Sequence, residues 1–335
     1  MSGEKLRVAV VGLGKMGILH SCILNVLPQV ELSALCEKSG MTLRLLKKVF
    51  NGVRMVDDVR KLANFGLDAV YVTTPIPSHY PVVKTLYSMN VARNVFVEKT
   101  LAATYEEAKE LCELANNSGG INMVGYLRRF YVTFRKARDM LSEDVIGELS
   151  SFRAYAYSSD FLGADYEAGT SASRGGVLRD LGCHAVDLAL WFFGELRVRS
   201  ANSASPAGPD FDDSVNFEVE NSGGLKGDFS VSWRMENYRM PEAGLSITGS
   251  EGTLMVNDDK IELNLKDGRK STMYRHDLDD NVPFWLALPE YYREDLCFIK
   301  SIGERVKVEL DFRAGSKVDE IISQVEKGAG ASGQQ

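Results

Sequence analysis

The chain has 335 residues, 44% of them hydrophobic and 25% charged, which is too long for one ordinary core and suits two globular domains. A formal net charge of −7 and a pI of about 5.3 argue against nucleic acid or an anionic membrane as partner, since either requires a basic stripe. No apolar run approaches the roughly 18 residues that span a bilayer, and the longest, Ala185 to Phe193, is interrupted by Asp187.

The five cysteines (Cys22, Cys36, Cys112, Cys183 and Cys297) are scattered and form no C-x-x-C, which excludes a zinc ribbon and argues against a disulfide framework. No metal site is expected. The N-terminal MSGEKLRVAVVGLG runs directly into a strand pattern without a leader-like apolar segment, so the expected location is the cytoplasm.

Through residue 125, short apolar runs bounded by turn residues alternate with helix-period segments. The predicted strands are Leu6–Val11, Val30–Cys36, Asp68–Val72, Asn94–Val97 and Asn122–Val124. The predicted helices are Ile18–Leu27, Thr42–Phe50, Val82–Met89 and Tyr105–Asn116. Alternation at this spacing indicates a doubly wound parallel sheet.

After a helix near Thr133–Leu141, the pattern changes to period two. Leu225, Gly227, Phe229, Val231 and Trp233 alternate with polar residues, as do Ile261, Leu263 and Leu265. LSITGSEGTLMV predicts two strands joined by a tight Gly-Ser-Glu-Gly turn. One apolar face per strand suits a large, mostly antiparallel open sheet, covered by helices on one side and free for a partner subunit on the other. Ala201–Asp213 reads as a loop, and the closing GAGASGQQ as a disordered tail.

Four stretches carry chemistry. In VAVVGLGKMG, Gly12, Gly14 and Gly17 form G-x-G-x-x-G between a strand and a helix, the geometry that admits a pyrophosphate at a helix N-terminus. Glu37 closes the second strand, where a carboxylate can accept both ribose hydroxyls.

In NVFVEKT, Glu98 and Lys99 stand at the carboxyl end of a strand, on the edge where open α/β sheets bind ligands. A solvated surface lysine fits the same pattern. The loop TTPIPSH follows another strand on that edge, with Ser78 placed to cap the next helix and His79 at its start. In GGVLRDLGCHAVDLALWFFGE, Asp180 and His184 stand near the N-terminus of a buried helix. They suit proton transfer, or else an Asp cap with a hydrogen-bonded core histidine.

Together GLGKMG, TPIPSH, EKT and GGVLRDLGCHAVD resemble, in order and spacing, the motifs of the Gfo/Idh/MocA family, which includes glucose–fructose oxidoreductase and inositol dehydrogenase. VGYLRRF resembles that family's domain crossover, and YYREDLCFIKSI its C-terminal helix. The resemblance covers almost the whole chain. It implies a Rossmann domain over residues 1–125, a substrate-binding and oligomerisation α+β domain over 126–327, and a tail over 328–335.

It also implies that Lys99, Asp180 and His184 surround the reacting carbon: Lys99 on the substrate oxygen, His184 moving the proton, Asp180 orienting substrate or histidine. The cofactor would be contacted by Gly12, Gly14, Lys15, Met16, Gly17, Glu37, Thr74, Pro75, His79 and Glu98. Thr100 stands where the family carries proline, and a cis bond before any other residue costs about 2.5–4 kcal/mol. Leu127 occupies a position that is often polar in the family.

The expected activity is hydride transfer between NAD, or NADP, and a secondary alcohol or ketone of a sugar, cyclitol or sugar derivative. The expected assembly is a homodimer or homotetramer built through the C-terminal sheet. Alternatives on the same fold are an NAD-dependent glycosidase, a reductase of non-sugar carbonyls, and a non-catalytic NAD-sensing regulator.

Overall fold

The computed structural model describes residues 4–160, 175–204, 213–278 and 289–332. The chain forms two compact units, one of residues 1–126 with 286–319, the other of residues 127–285 with 320–335. Residues 289–319 cluster with the N-terminal unit.

The first unit contains β1 (Leu6–Val11), α1 (Lys15–Val26), β2 (Val30–Cys36), α2 (Gly40–Leu46), β3 (Arg54–Val56), β4 (Ala69–Val72), α3 (His79–Ser88), β5 (Asn94–Glu98), α4 (Tyr105–Ser118) and β6 (Asn122–Gly125). Six parallel strands lie in the order β3-β2-β1-β4-β5-β6. The order reverses between β1 and β4, which opens a crevice at the carboxyl ends of the strands.

Helices cover both faces of such a sheet, so its strands carry unbroken apolar runs: Val8, Ala9 and Val10 of β1 and Val95, Phe96 and Val97 of β5 are fully buried. Ser78 precedes α3 but makes no side-chain capping bond. A 3-10 turn over Ile76–Ser78 runs straight into the helix and leaves Ser78 with helical dihedrals, from which its hydroxyl cannot cap. The unit also includes α7 (Pro289–Glu304).

The second unit has α5 (Val132–Ser142), β7 (Leu149–Tyr157), α6 (Cys183–Phe193), β8 (Leu196–Ala204), β9 (Ser214–Asn221), β10 (Lys226–Ser232), β11 (Glu242–Gly249), β12 (Gly252–Asn257), β13 (Lys260–Leu265) and β14 (Lys270–Tyr274). The eight strands follow the order β14-β13-β12-β11-β7-β10-β9-β8. The β7–β10 pair is parallel and the other pairs are antiparallel.

Alternation explains which face is buried. Phe152, Phe217 and Phe229 point to the helix side, where Phe152 stacks on Phe193 of α6 at 4.1 Å and Phe217 on Phe229 at 4.3 Å. Gly227 keeps this face closed, because a Cβ there would lie 2.0 Å from the Phe152 ring.

Two expectations change at the ends of elements. Residues 201–204, expected in a loop, extend β8: Ala201 pairs with Phe217 and Ala204 with Ser214. The polar ANSA reads as a loop by composition, yet edge strands carry polar residues on their solvent side. Residues 205–212 lie outside the described residues. Residues 328–332, expected in a disordered tail, continue α8 (Phe312–Ser332), and residues 333–335 lie outside the described set.

Candidate functional site

The glycine loop is built by three different constraints. Gly12 has φ +92, and a Cβ there would meet Thr74 at 2.7 Å. At Gly17 a Cβ would lie 1.8 Å from the Gly12 carbonyl oxygen, so only glycine lets α1 start this close to β1. Gly14 differs: a Cβ there would meet nothing within 4 Å. That open space lies at the N-cap of α1, which has no side-chain cap and no acidic residue in its first turn. A helix N-terminus left this way favours an anion.

Around the loop, Lys15 is exposed and Met16 half-buried, the latter accepting the Tyr291 hydroxyl through Sδ at 3.9 Å. Glu37 ends the second strand's turn with one carboxylate oxygen accepting the Leu13 N–H at 2.8 Å and the other the Ser39 N–H at 3.0 Å. The carboxylate is thereby oriented beside the glycine loop. Thr74 carries a buried Oγ1 without a hydrogen-bond partner, and Pro75 is exposed beside it. An open N-cap, an oriented carboxylate and an orphaned hydroxyl along one strand edge fit a dinucleotide.

Two residues expected at the cofactor have other partners. His79 is fully buried, with Nδ1 2.8 Å from the Thr100 carbonyl and Nε2 2.7 Å from the Thr74 carbonyl. No ring nitrogen is left for a ligand, so His79 braces the loop after β4 against the turn after β5. Burial lowers its pKa, with the two carbonyls offsetting only part of that effect, and the ring is neutral.

Glu98 is likewise buried, one oxygen 3.0 Å from His20 Nε2 and the other accepting the Lys99 N–H at 3.1 Å. Lys99 itself is half-buried at the end of β5, and the Lys99–Thr100 peptide is cis, although Thr100 is not proline.

His20 escaped the sequence reading. It is fully buried on α1, with Nδ1 2.8 Å from Asp295 Oδ1 on α7. Burial alone would lower its pKa. The charges and hydrogen bonds of Asp295 and Glu98 outweigh that and raise it well above the usual histidine range. Burial would raise Glu98, yet the His20 hydrogen bond and charge, with Lys99, hold it below the ordinary carboxylate range. The available signal was a histidine inside the apolar run ILHSCIL, and an acid on the apolar face of YYREDLCFIKSI.

In the second unit, Gly175 and Gly176 have φ +79 and +83, a conformation that explains the double glycine. They lead into a π-helical turn, Leu178–Gly182, continuous with α6. Asp180 lies within that turn, half-buried, and His184 follows about one turn later, buried. Asp180 is therefore not a helix cap. π-Turns of this kind gather at functional sites.

Asp187, fully buried, receives a forked pair of hydrogen bonds from Arg129, Nε at 3.0 Å and the terminal nitrogen at 2.6 Å. That ion pair ties α6 to the Leu127–Phe130 turn. Arg179, beside Asp180, makes a second forked pair with Glu326 at 3.0 and 2.9 Å. Neither arginine was singled out from sequence.

Two family models cover most of the chain: "Oxidoreductase family, NAD-binding Rossmann fold" matches residues 6–126, and the "GFO/IDH/MocA C-terminal domain" matches residues 134–255. The chain belongs to the Gfo/Idh/MocA oxidoreductase family. Its first unit carries that family's NAD-binding Rossmann domain, and the parallel sheet followed by a mostly antiparallel one is the expected fold.

Among curated relatives, D-glucoside 3-dehydrogenase of Escherichia coli is 27% identical over 61% of this chain and 59% of its own length. The scyllo-inositol 2-dehydrogenase (NADP(+)) of Bacillus subtilis is 28% identical over 59% of this chain and 55% of its own length. The match thus spans less than two thirds of either relative. Levoglucosan dehydrogenase, solved in complex with NADH and L-sorbose, superposes with a TM-score of 0.85 at 20% identity, covering 98% of both chains. Among the described residues no helix is long and apolar enough to cross a membrane.

Proposed function

We propose that this member of the family is an NAD(P)-dependent dehydrogenase acting on CH–OH groups, with a sugar, cyclitol or sugar derivative as its small-molecule substrate. The carrying observation is the common edge of the parallel sheet: the open glycine loop after β1, Glu37 after β2, Thr74 after β4 and Lys99 after β5. The names of the glucoside and inositol relatives support the substrate class.

NAD, when bound, supplies the hydride acceptor or donor. Lys99 hydrogen-bonds the substrate oxygen and stabilises its charge as the alcohol loses its proton. His184 takes that proton on oxidation and returns it on reduction, and Asp180 orients the substrate or the imidazole. The N-terminal unit serves the cofactor, and the sheet of the second unit serves the substrate.

NAD is favoured over NADP because the Glu37 carboxylate accepts from ribose hydroxyls and repels a 2′-phosphate. Nicotinamide absorbance followed with a panel of sugars and cyclitols, using each cofactor, tests both points. Turnover with a kcat/KM at least about tenfold higher for NAD is expected, whereas cofactor binding without turnover would make the chain a nucleotide sensor.

The outer face of the eight-stranded sheet supports a homodimer or homotetramer. It carries Arg153, Tyr155, Tyr157, Asn216, Glu218 and Asp228 around a shallow concavity. Light scattering on the purified chain decides: a monomer at micromolar concentration would overturn it.

A further inference from the structure

Among the polar groups that the proposed chemistry does not use, His20 and its two carboxylate partners are buried together. The ring lies between two carboxylates, Asp295 at 2.8 Å and Glu98 at 3.0 Å, one on each nitrogen. A neutral imidazole has one N–H and would turn a lone pair toward one of those oxygens. Only the imidazolium donates to both.

Rings wall it in: Tyr71 at 5.6 Å, Phe96 at 5.2 Å, and Tyr291 edge-on at 5.8 Å. The charged groups acting on it are Glu98 from β5 and Asp295 from α7; around them, Lys99 acts on Glu98, and Glu294 on the Tyr71 hydroxyl from β4. Packing alone does not call for this arrangement. Replacing a buried ion pair by well-packed apolar side chains is often neutral or stabilising. A buried ionic triad kept in such a place therefore points to geometry.

The geometry has a destination. Glu98 Oε1 is held by His20, and Glu98 Oε2 receives the backbone N–H of Lys99. His20 sits on the helix that opens at the glycine loop, and Asp295 anchors the far side of the ring from α7.

We propose that His20 is a positioning residue for Lys99: donating to Asp295 and Glu98 together, it fixes the carboxylate that receives the lysine amide, and so fixes the point at which Lys99 leaves β5. This links the middle of α1, the helix that opens at the glycine loop, to the lysine through one buried triad. The inference rests on the reading that Lys99 acts on substrate, and deepens it.

The test uses the full-length protein with saturating NAD. Imidazole 1H–15N spectra at about pH 7.5 should contain two slowly exchanging N–H signals that vanish in His20→Gln; a single N–H, or titration near the ordinary pKa of about 6.5, overturns the proposal. Competitive acetylation with acetic anhydride then reads Lys99 against the exposed Lys270 on β14, in wild type, His20→Gln, His20→Phe and Glu98→Gln.

The Lys99 rate relative to Lys270 should shift by at least roughly threefold in all three variants, while the dissociation constant for NAD stays within about threefold. A lowered melting temperature with an unchanged Lys99 ratio assigns the triad to stability alone and overturns the proposal. Lys99→Ala assayed for turnover keeps the underlying reading separate. Unaltered turnover removes the role of Lys99, whereas lost turnover with an unmoved acetylation ratio removes only that of His20.

Discussion

His20 and His79 are the same residue type, fully buried in the same unit, and they hold opposite sides of Lys99. His20 reaches Glu98, the residue before it, and His79 reaches the carbonyl of Thr100, the residue after it. Their charge states nevertheless differ. Two carboxylates raise the pKa of His20, whereas burial lowers that of His79, whose partners are uncharged carbonyls. Burial does not set a histidine's charge by itself; the charge of the partners decides which way it goes. Carrying a proton during the reaction is the part proposed for a third histidine, His184, in the second unit.

The largest effect tests what the two histidines hold. Lys99→Ala should lower kcat by roughly 10²–10⁴, through lost hydrogen bonding to the reacting oxygen. The dissociation constant for NAD should barely move, because the site proposed for the pyrophosphate is the Gly12–Gly17 loop. Steady-state kinetics and cofactor titration on one preparation check both, and near-normal turnover would remove Lys99 from the chemistry.

His184→Ala sharpens the contrast between a titrating histidine and a bracing one. The kcat/KM profile for oxidation should fall on the acid side as the imidazole protonates. The variant should lose that limb and turn over about 10²-fold more slowly or worse. If His184 is instead a strut, its removal should cost about 1–3 kcal/mol and leave the acid limb in place.

The second unit allows the same rule to be tested on a carboxylate. Asp187 lies as deep as Asp295, and its partner is Arg129 rather than a histidine. Arg129→Met keeps the bulk and removes the charge that the forked pair brings to buried Asp187, at a cost of about 3–5 kcal/mol in urea unfolding. Since Asp187 sits one turn beyond His184 on α6, loss of stability should come with loss of turnover in the folded fraction. A variant as stable as wild type would mean that Asp187 takes up a proton or another partner.

How much of this was legible depends on what each motif encodes. Gly12 and Gly17 encode backbone geometry, a positive φ and a close helix–strand approach, and such constraints exclude other residues and so leave a trace in sequence. The strand–helix alternation reports burial on both sheet faces in the same way. The His20–Asp295 contact spans 275 positions and has no local pattern, since a histidine in ILHSCIL reads equally as a packed ring. His79 and Glu98 were legible as residues on the right edge, while their orientation away from it was not. Nothing in TPIPSH or VEKT distinguishes a ring facing a ligand from one facing carbonyls. The extra strand residues at 201–204 were hidden for a related reason, because edge strands tolerate loop-like composition.

The smallest effect is also the most direct test of the two-histidine comparison, because its two halves have opposite signs. The pKa of His20 is raised on folding, so the stability it contributes is complete below the unfolded value of about 6.5 and is lost as pH rises toward the folded value. The pKa of His79 is lowered, so its contribution is complete above about 6.5 and is lost as pH falls toward its folded value. Between them they should produce a shallow stability maximum near neutral pH, on top of the carboxylate losses at lower pH. The urea midpoint measured at about pH 5, 6.5 and 8 separates the two. His20→Gln should flatten the decline above neutrality and leave the acidic decline, and His79→Gln should do the reverse. The variants need not be equally stable, since only the slopes carry the information and the slope counts protons. If both kept the wild-type slopes, neither ring would change protonation on unfolding, and the charged and neutral states assigned to the two sides of Lys99 would have to be given up.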